Sequence, residues 1–179
     1  MADELFDFNP VSRITIDAVG PPGERTFILQ ASQGTSSVTL KMEKEQAKIL
    51  AVSIIELLED LDEKYPRPRS KLDKPLSSDL MLQEPLEPTF IIGQIGLGYE
   101  QSQDMIVLVI QEIQYEDEGK SNLATARFWA TRAQMEAMSE HALQVVEQGR
   151  PICPLCSAPM DPDGHFCPKS NGHDKVEWT

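Results

Sequence analysis

Cysteine is scarce in this chain of 179 residues, and its three copies, Cys153, Cys156 and Cys167, all fall near the C-terminus. An odd, clustered set in a chain without export features points away from disulfide chemistry and toward metal. Long apolar runs are missing: nothing approaches the ~18–20 residues a membrane span needs. The opening Met1-Ala2-Asp3-Glu4-Leu5-Phe6-Asp7 is acidic and has no apolar signal stretch, so a cytoplasmic location is expected. Basic residues are outnumbered, 16 Lys+Arg against 29 Asp+Glu, for a net charge of −13. That deficit argues against nonspecific nucleic-acid binding and against anionic membrane surfaces, since both need a cationic excess somewhere. A Ser-His-Asp order, a nucleophile elbow and a phosphate loop are all absent. What is there is ordinary globular usage, 40% hydrophobic and 25% charged, in a chain long enough to bury a core without disulfides.

Periodicity divides the chain into two similar halves. In the first, Arg13 to Val19 alternates with period two and ends at the turn Gly20-Pro21-Pro22-Gly23. Arg25 to Ala31 predicts a second strand, and Val38 to Met42 a third, with Val38, Leu40 and Met42 on one face. A helix follows from about Glu45 to Leu61, its apolar stripe formed by Ala47, Leu50, Ile54, Leu57, Leu58 and Leu61. Tyr65 to Pro88 then holds five prolines and, with Lys64 just before it, a basic cluster (Lys64, Arg67, Arg69, Lys71, Lys74), the composition of an extended, solvated linker. In the second half Thr89 to Gly96 predicts a strand. Met105 to Ile113, nearly all apolar, predicts a central buried one, and Ala124 to Trp129 a third. A helix from Arg132 to about Gln148 carries Met135, Met138, Ala142, Val145 and Val146 on one face, and Thr131-Arg132-Ala133-Gln134 has the form of a capping box.

The halves can be superposed. An offset of 88 pairs Leu40 with Phe128, Leu50 with Met138, Ile54 with Ala142 and Leu57 with Val145; a smaller offset pairs Gln30 with Gln111 and Gly20 with Gly96. The expected fold is therefore α+β, a duplicated β-β-β-α unit forming antiparallel sheet covered by two helices, with a small zinc-ribbon-like tail. The expected divisions are 1–64 for the first unit, 65–88 for the linker, 89–149 for the second unit and 150–179 for the tail.

The tail carries the chemistry. Cys153-Pro154-Leu155-Cys156 is a C-x2-C knuckle that turns two thiolates toward one centre. Asp163-Gly164 brings the chain back, and His165-Phe166-Cys167 offers two further ligands on one side of an extended segment. Cys153, Cys156, His165 and Cys167 make the three-thiolate, one-imidazole set that structural Zn2+ prefers, with His173 as the alternative fourth ligand. Four protein ligands leave no open position for water, so the expected role of the zinc is structural.

Other features point to chemistry less directly. Gly93-Gln94-Ile95-Gly96-Leu97-Gly98 resembles a dinucleotide loop but does not open a helix, so it reads as strand and hairpin. His141 lies opposite the apolar stripe with no evident partner and reads as a surface histidine. Glu116-Asp117-Glu118 reads as a solvated turn. Arg25, directly after the rigid Pro-Pro-Gly turn, is the best isolated candidate for fixing an anionic ligand.

Gly20 to Ala31, the Gly96 to Gln111 strand pair and the Cys-Pro-x-Cys…Gly-His-x-Cys-Pro tail ending in Asn171-Gly172 together resemble a bacterial, mainly actinobacterial, family known as domain of unknown function 3090. The resemblance covers nearly the whole chain. Ser157 stands where members of that family usually have glycine, which leaves the ligand set intact. The family's tendency to carry tyrosine or histidine at the position of His173 favours His165 as ligand. The resemblance implies no established activity.

Two functions from different classes follow. The first is a zinc-stabilised interaction or accessory protein without catalysis, its partner another protein. The alternative is a hydrolase or other enzyme acting on a small anionic metabolite, with Arg25, Arg127 and the Gly93–Gly98 segment lining a cleft between the repeats. Nucleic-acid binding through the tail is disfavoured, because from Arg150 onward three basic residues face four acidic ones.

Overall fold

The computed structural model describes residues 4–21, 23–67, 74–115, 122–148, Leu155, 165–166 and 175–176. Four strands open the chain: β1 (Leu5–Phe8), β2 (Arg13–Val19), β3 (Thr26–Gln33) and β4 (Ser36–Met42), followed by helix α1 (Lys44–Lys64). After a 3-10 turn at Ser77–Leu80 come β5 (Phe90–Glu100), β6 (Met105–Glu112), β7 (Thr125–Ala130) and helix α2 (Arg132–Gln148). Two-residue strands β8 (His165–Phe166) and β9 (Lys175–Val176) pair antiparallel with each other.

Both helices start the same way. The Gln46 side chain accepts from the Glu43 N–H at 2.8 Å; that of Gln134 accepts from the Thr131 N–H at 2.9 Å, while Thr131 Oγ1 accepts from the Gln134 N–H at 3.1 Å. These bonds satisfy donors that a helix start otherwise leaves open. The stripes read from the sequence are the buried faces, with Ala51 and Ser139 added and Leu57 only partly buried.

The sheet is mixed, not antiparallel throughout. Its order is β1-β7-β6-β5-β4-β3-β2. The meanders β2-β3-β4 and β5-β6-β7 are antiparallel within themselves, but β4 meets β5 in parallel, as does β7 with β1. The first junction follows from connectivity: β4, α1 and β5 form a crossover, which delivers the next strand parallel to the last. The second comes from β1, a strand of four residues, too short to give a periodic signal. Residues between β1 and β2 also tie the two ends of the sheet together. Val11 N–H donates to Trp129 O of β7 at 2.8 Å, and the next residue, Ser12, donates to Ser32 O of β3 at 2.7 Å.

Each parallel junction is short, and a helix enters where its strands part. Only Leu40↔Phe90 and Lys41↔Ile91 join β4 to β5. Just beyond, Gln46 Nε2 donates to Ile92 O and Gly93 O at 3.3 and 3.1 Å. At the other junction Gln134 Nε2 donates to Val11 O at 3.1 Å, and α2 then lies along β2. Each helix thus reaches into the opposite half. The α1 and α2 helices also pack on each other, and both halves share one hydrophobic core. Phe8 packs against Phe128 within it (5.7 Å between centroids), and the partly buried Phe6 packs on it against Phe90 (6.5 Å).

Gly93 marks a bulge in β5, where the pairing with β6 shifts register between Ile92 and Gln94. A Cβ there would lie 2.7 Å from Ile113 Cα and 3.0 Å from its N, both backbone atoms that cannot swing aside. Gly93→Val is therefore expected to lower stability by about 1–3 kcal/mol in urea unfolding, while Gly98→Ala, with nothing within 4 Å of its Cβ, stays within about 0.5 kcal/mol of the parent.

Candidate functional site

The proline-rich segment between the halves does more than span them. One face of β2, β3 and β4 is polar, carrying Arg13, Thr15, Gln30, Ser32 and Thr39, all buried. Residues 79–85 lie over it. Arg13 Nη1 donates to Asp79 O and Met81 O at 3.4 and 3.0 Å, and Nη2 to Gln30 Oε1 at 2.6 Å. Thr15 Oγ1 donates to Leu80 O at 2.7 Å. Gln30 is the hub: its Nε2 donates to Thr39 Oγ1 and Gln83 O, and its Oε1 accepts from Arg13 and from the Gln83 N–H, four bonds in all. That exhausts the hydrogen-bonding capacity of a primary amide. Burial pushes the Arg13 guanidinium below its ordinary pKa, with the Asp79 charge opposing the shift. The alternation of polar residues across three strands was visible in the sequence, but it reads as a solvent face; nothing in it shows that residues 79–85 cover it.

A second cluster joins the C-terminal end of α1 to the β5–β6 hairpin and the start of α2. Tyr99 Oη donates to Asp104 Oδ1 at 2.6 Å, and Arg132 Nε donates to the same oxygen at 2.9 Å. Arg132 Nη2 donates to Tyr65 O at 2.8 Å, Nη1 faces Asp62 at 3.5 Å, and Arg67 approaches Asp104 Oδ2 at 3.6 Å. Burial works against the charge on Arg132, but its bonds to Tyr99 and Asp104 outweigh that and raise its pKa. Asp104 adopts φ 53°, a left-handed conformation uncommon outside glycine and asparagine or aspartate. Its carboxylate is consumed within the joint, a packing role.

The structure does not assemble the arginine cleft considered from the sequence. Arg25 stands over the Phe27 ring, 5.1 Å from its centroid. Arg127 is bound to Asp7 at 2.7 Å, and Trp129 Nε1 donates to the other oxygen of that carboxylate at 3.1 Å. Gly93 to Gly98 all lie inside β5, which runs on to Glu100, so the strand read there is present but the hairpin turn comes after this segment and not within it. Gly96 and Arg127 do share a lateral row, Gly96–Val109–Arg127–Asp7, across the outer face of the second half; Arg25 is not part of it. His141 has a partner after all: its Nε2 lies 3.0 Å from Asp17 Oδ2 on β2. The Glu116–Glu118 turn falls outside the described residues.

The Arg127 bond, aided by its charge and by Trp129, holds the Asp7 carboxyl below its ordinary value of 3.8 against the opposing effect of partial burial. A lowered folded-state pKa stabilises the fold above the unfolded value, and the gain is lost as pH falls through the folded value. The stability difference between the parent chain and Asp7→Asn should hold constant above about pH 5 and shrink toward about pH 2. A difference that persists undiminished at acid pH would remove the ionic component of this contact.

A shallow groove of ≈ 220 Å³ runs between α1 and β5, lined by Gln46, Ile49, Leu50, Ser53, Gly93, Ile95 and Leu97. Its walls are mainly aliphatic, so it lacks the convergent ionisable groups that acid–base chemistry needs. Cys153, Cys156, Cys167 and His173 lie outside the described residues; His165 is described only as a backbone partner of Val176 in the β8–β9 pair. Among the described residues no group of three or more metal-ligating side chains forms, and no helix is long and apolar enough to cross a membrane.

The fold thus defines a class: an α+β protein with a seven-stranded mixed sheet, two helices and a shared core. The chain belongs to the family described as protein of unknown function (DUF3090), whose profile matches residues 6–167. No match was found among curated proteins or among solved structures.

Proposed function

We propose that this protein is a zinc-stabilised, non-catalytic interaction or accessory protein of the cytoplasm, built from two copies of a β-β-β-α unit and closed by a metal-binding tail. The observation that carries the non-catalytic reading is that the acceptors of its polar clusters are spent internally: Gln30, Asp104 and Asp7 each have them engaged by neighbouring side chains or backbone, while Arg127 Nε, Arg132 Nη1 and Ser139 Oγ are buried without a hydrogen-bond partner among the described residues. The duplication is supported by the paired capping glutamines, Gln46 and Gln134, each reaching the point where a strand of the other half parts from its neighbour. In the tail, Cys153, Cys156, His165 and Cys167 would hold Zn2+ with no open position, and Arg25 keeps no assigned ligand.

The test is metal content of untagged protein. About one zinc per chain is expected, lost in Cys153→Ser and His165→Ala and kept in His173→Ala. Cobalt substitution separates structure from catalysis: a tetrahedral spectrum unmoved by added phosphate or azide fits a closed site, whereas a shifted spectrum means an open coordination position and overturns the non-catalytic reading. Absence of metal with three freely titrating thiols removes the zinc.

A further inference from the structure

The two halves are finished differently. In the first, the outer face of the meander lies under residues 79–85, with Gln30 on the middle strand as its anchor. In the second, the described residues of the corresponding face are exposed or half-exposed. Gln111, on the middle strand β6, is exposed, and Val109 beside it is 43% exposed although β6 is almost wholly apolar. The anchoring pair nevertheless recurs: Gln30 sits opposite Thr39 across β3–β4, and Gln111 sits opposite Thr125 across β6–β7.

A matching cover exists in the sequence. The segment that covers the first face follows α1; the tail follows α2, and 31 residues lie beyond Gln148. Pro75-Leu76-Ser77-Ser78-Asp79-Leu80-Met81, which leads onto the first face, aligns with Pro154-Leu155-Cys156-Ser157-Ala158-Pro159-Met160, sharing proline, leucine, serine and methionine at four of seven positions. Leu76 and Leu155 are both exposed, at 70% and 51%. Only a few residues separate Gln148 from Pro154, yet an extended chain gains about 3.3–3.6 Å per residue, so they reach about 20 Å, beyond the ~10 Å between packed layers.

We propose that the chain's own segment 154–164 docks across the outer face of β5, β6 and β7, with the carbonyl of Pro162, the residue aligned with Gln83, accepting from the Gln111 amide as the Gln83 carbonyl accepts from Gln30. This rests on the two-copy reading given above, and not on the zinc. Docking would cover Val109 and bring the metal-binding residues alongside the sheet, making the tail part of the body.

The test places a photo-cross-linking benzoylphenylalanine at Val109 in the full chain, with Ile49 on the exposed side of α1 as the control position. Mass spectrometry of a mixture of isotopically heavy and light protein then separates adducts within one chain from adducts between chains. A dominant within-chain adduct from position 109 to residues 154–164, lost when the probe sits at 49, is the expected result. Adducts joining two chains would put a second copy on this face and overturn the proposal; so would adducts confined to solvent or to other segments. Zinc measured on the same sample keeps the two ideas apart. Metal without the adduct removes the docking alone, and the adduct without metal removes the zinc alone. The adduct lost while the paired capping contacts persist removes the docking and leaves the two-copy reading standing.

Discussion

Phe128→Ala should destabilise the protein by about 3–5 kcal/mol, the cost of truncating a fully buried aromatic side chain. Phe128 has no exposed surface and sits in the middle of β7. Its ring lies 5.7 Å from that of Phe8 on β1, and it stands directly across from Leu108 on β6. Removing it opens a cavity at the place where β1 joins the sheet in parallel and Val11 ties β7 to the start of β2. That junction closes one side of the core shared by both halves, so the loss should appear as one cooperative urea transition with a lower midpoint and an unchanged slope. Two separated transitions would show that the halves unfold independently. A loss below about 1 kcal/mol would place Phe128 at a site able to collapse, against the range for buried aromatics.

The elements themselves were largely legible, because in both halves short alternating or apolar runs give way to an apolar period of 3.6. The predicted span Arg13–Val19 is β2, and Arg132–Gln148 is α2 without change at either end. The capping box at Thr131 was readable because its two side chains lie three residues apart and need no distant partner. What depended on distant chain was not readable. β1 exists because Leu5 to Phe8 find β7 more than a hundred residues away, where Asp7 meets Arg127 and Trp129; a short strand with two charged or polar neighbours carries no period to detect. His141 lacked a visible partner for the same reason, its aspartate being on β2. The apolar run of β6 misled in the opposite direction. Apolar residues on both faces of a strand imply cover on both faces, yet Val109 is exposed among the described residues. At the candidate site, the tail's spacing spoke for metal chemistry directly, whereas the buried polar layer under residues 79–85 looked like an ordinary wet face.

That polar layer yields the other large effect. Gln30→Leu keeps the approximate volume of the side chain and removes all four of its hydrogen bonds. Thr39 retains its 3.3 Å contact with Pro85 O, but the Gln83 N–H and carbonyl lose their partners. Arg13 loses its shortest acceptor while its charge stays buried. Each buried polar group left unpaired costs about 1–3 kcal/mol, and more when it is charged, so a total of about 3–5 kcal/mol is expected, in the range found when a buried charge loses a partner. Arg13→Met should cost less, although it also strips bonds from Asp79, Met81 and Gln30. It removes the charge together with the need to solvate it, and what remains are neutral acceptors near a segment that can admit water. The order of the two variants is thus the sharper result than either magnitude. Limited proteolysis should follow the same order, with cleavage between Ser77 and Pro85 accelerating more in Gln30→Leu, because the amide is what holds residues 79–85 down on both sides of Gln83. Were Arg13→Met the worse of the two, the guanidinium and not the amide would be the anchor, and the parallel drawn between Gln30 and Gln111 would lose its basis.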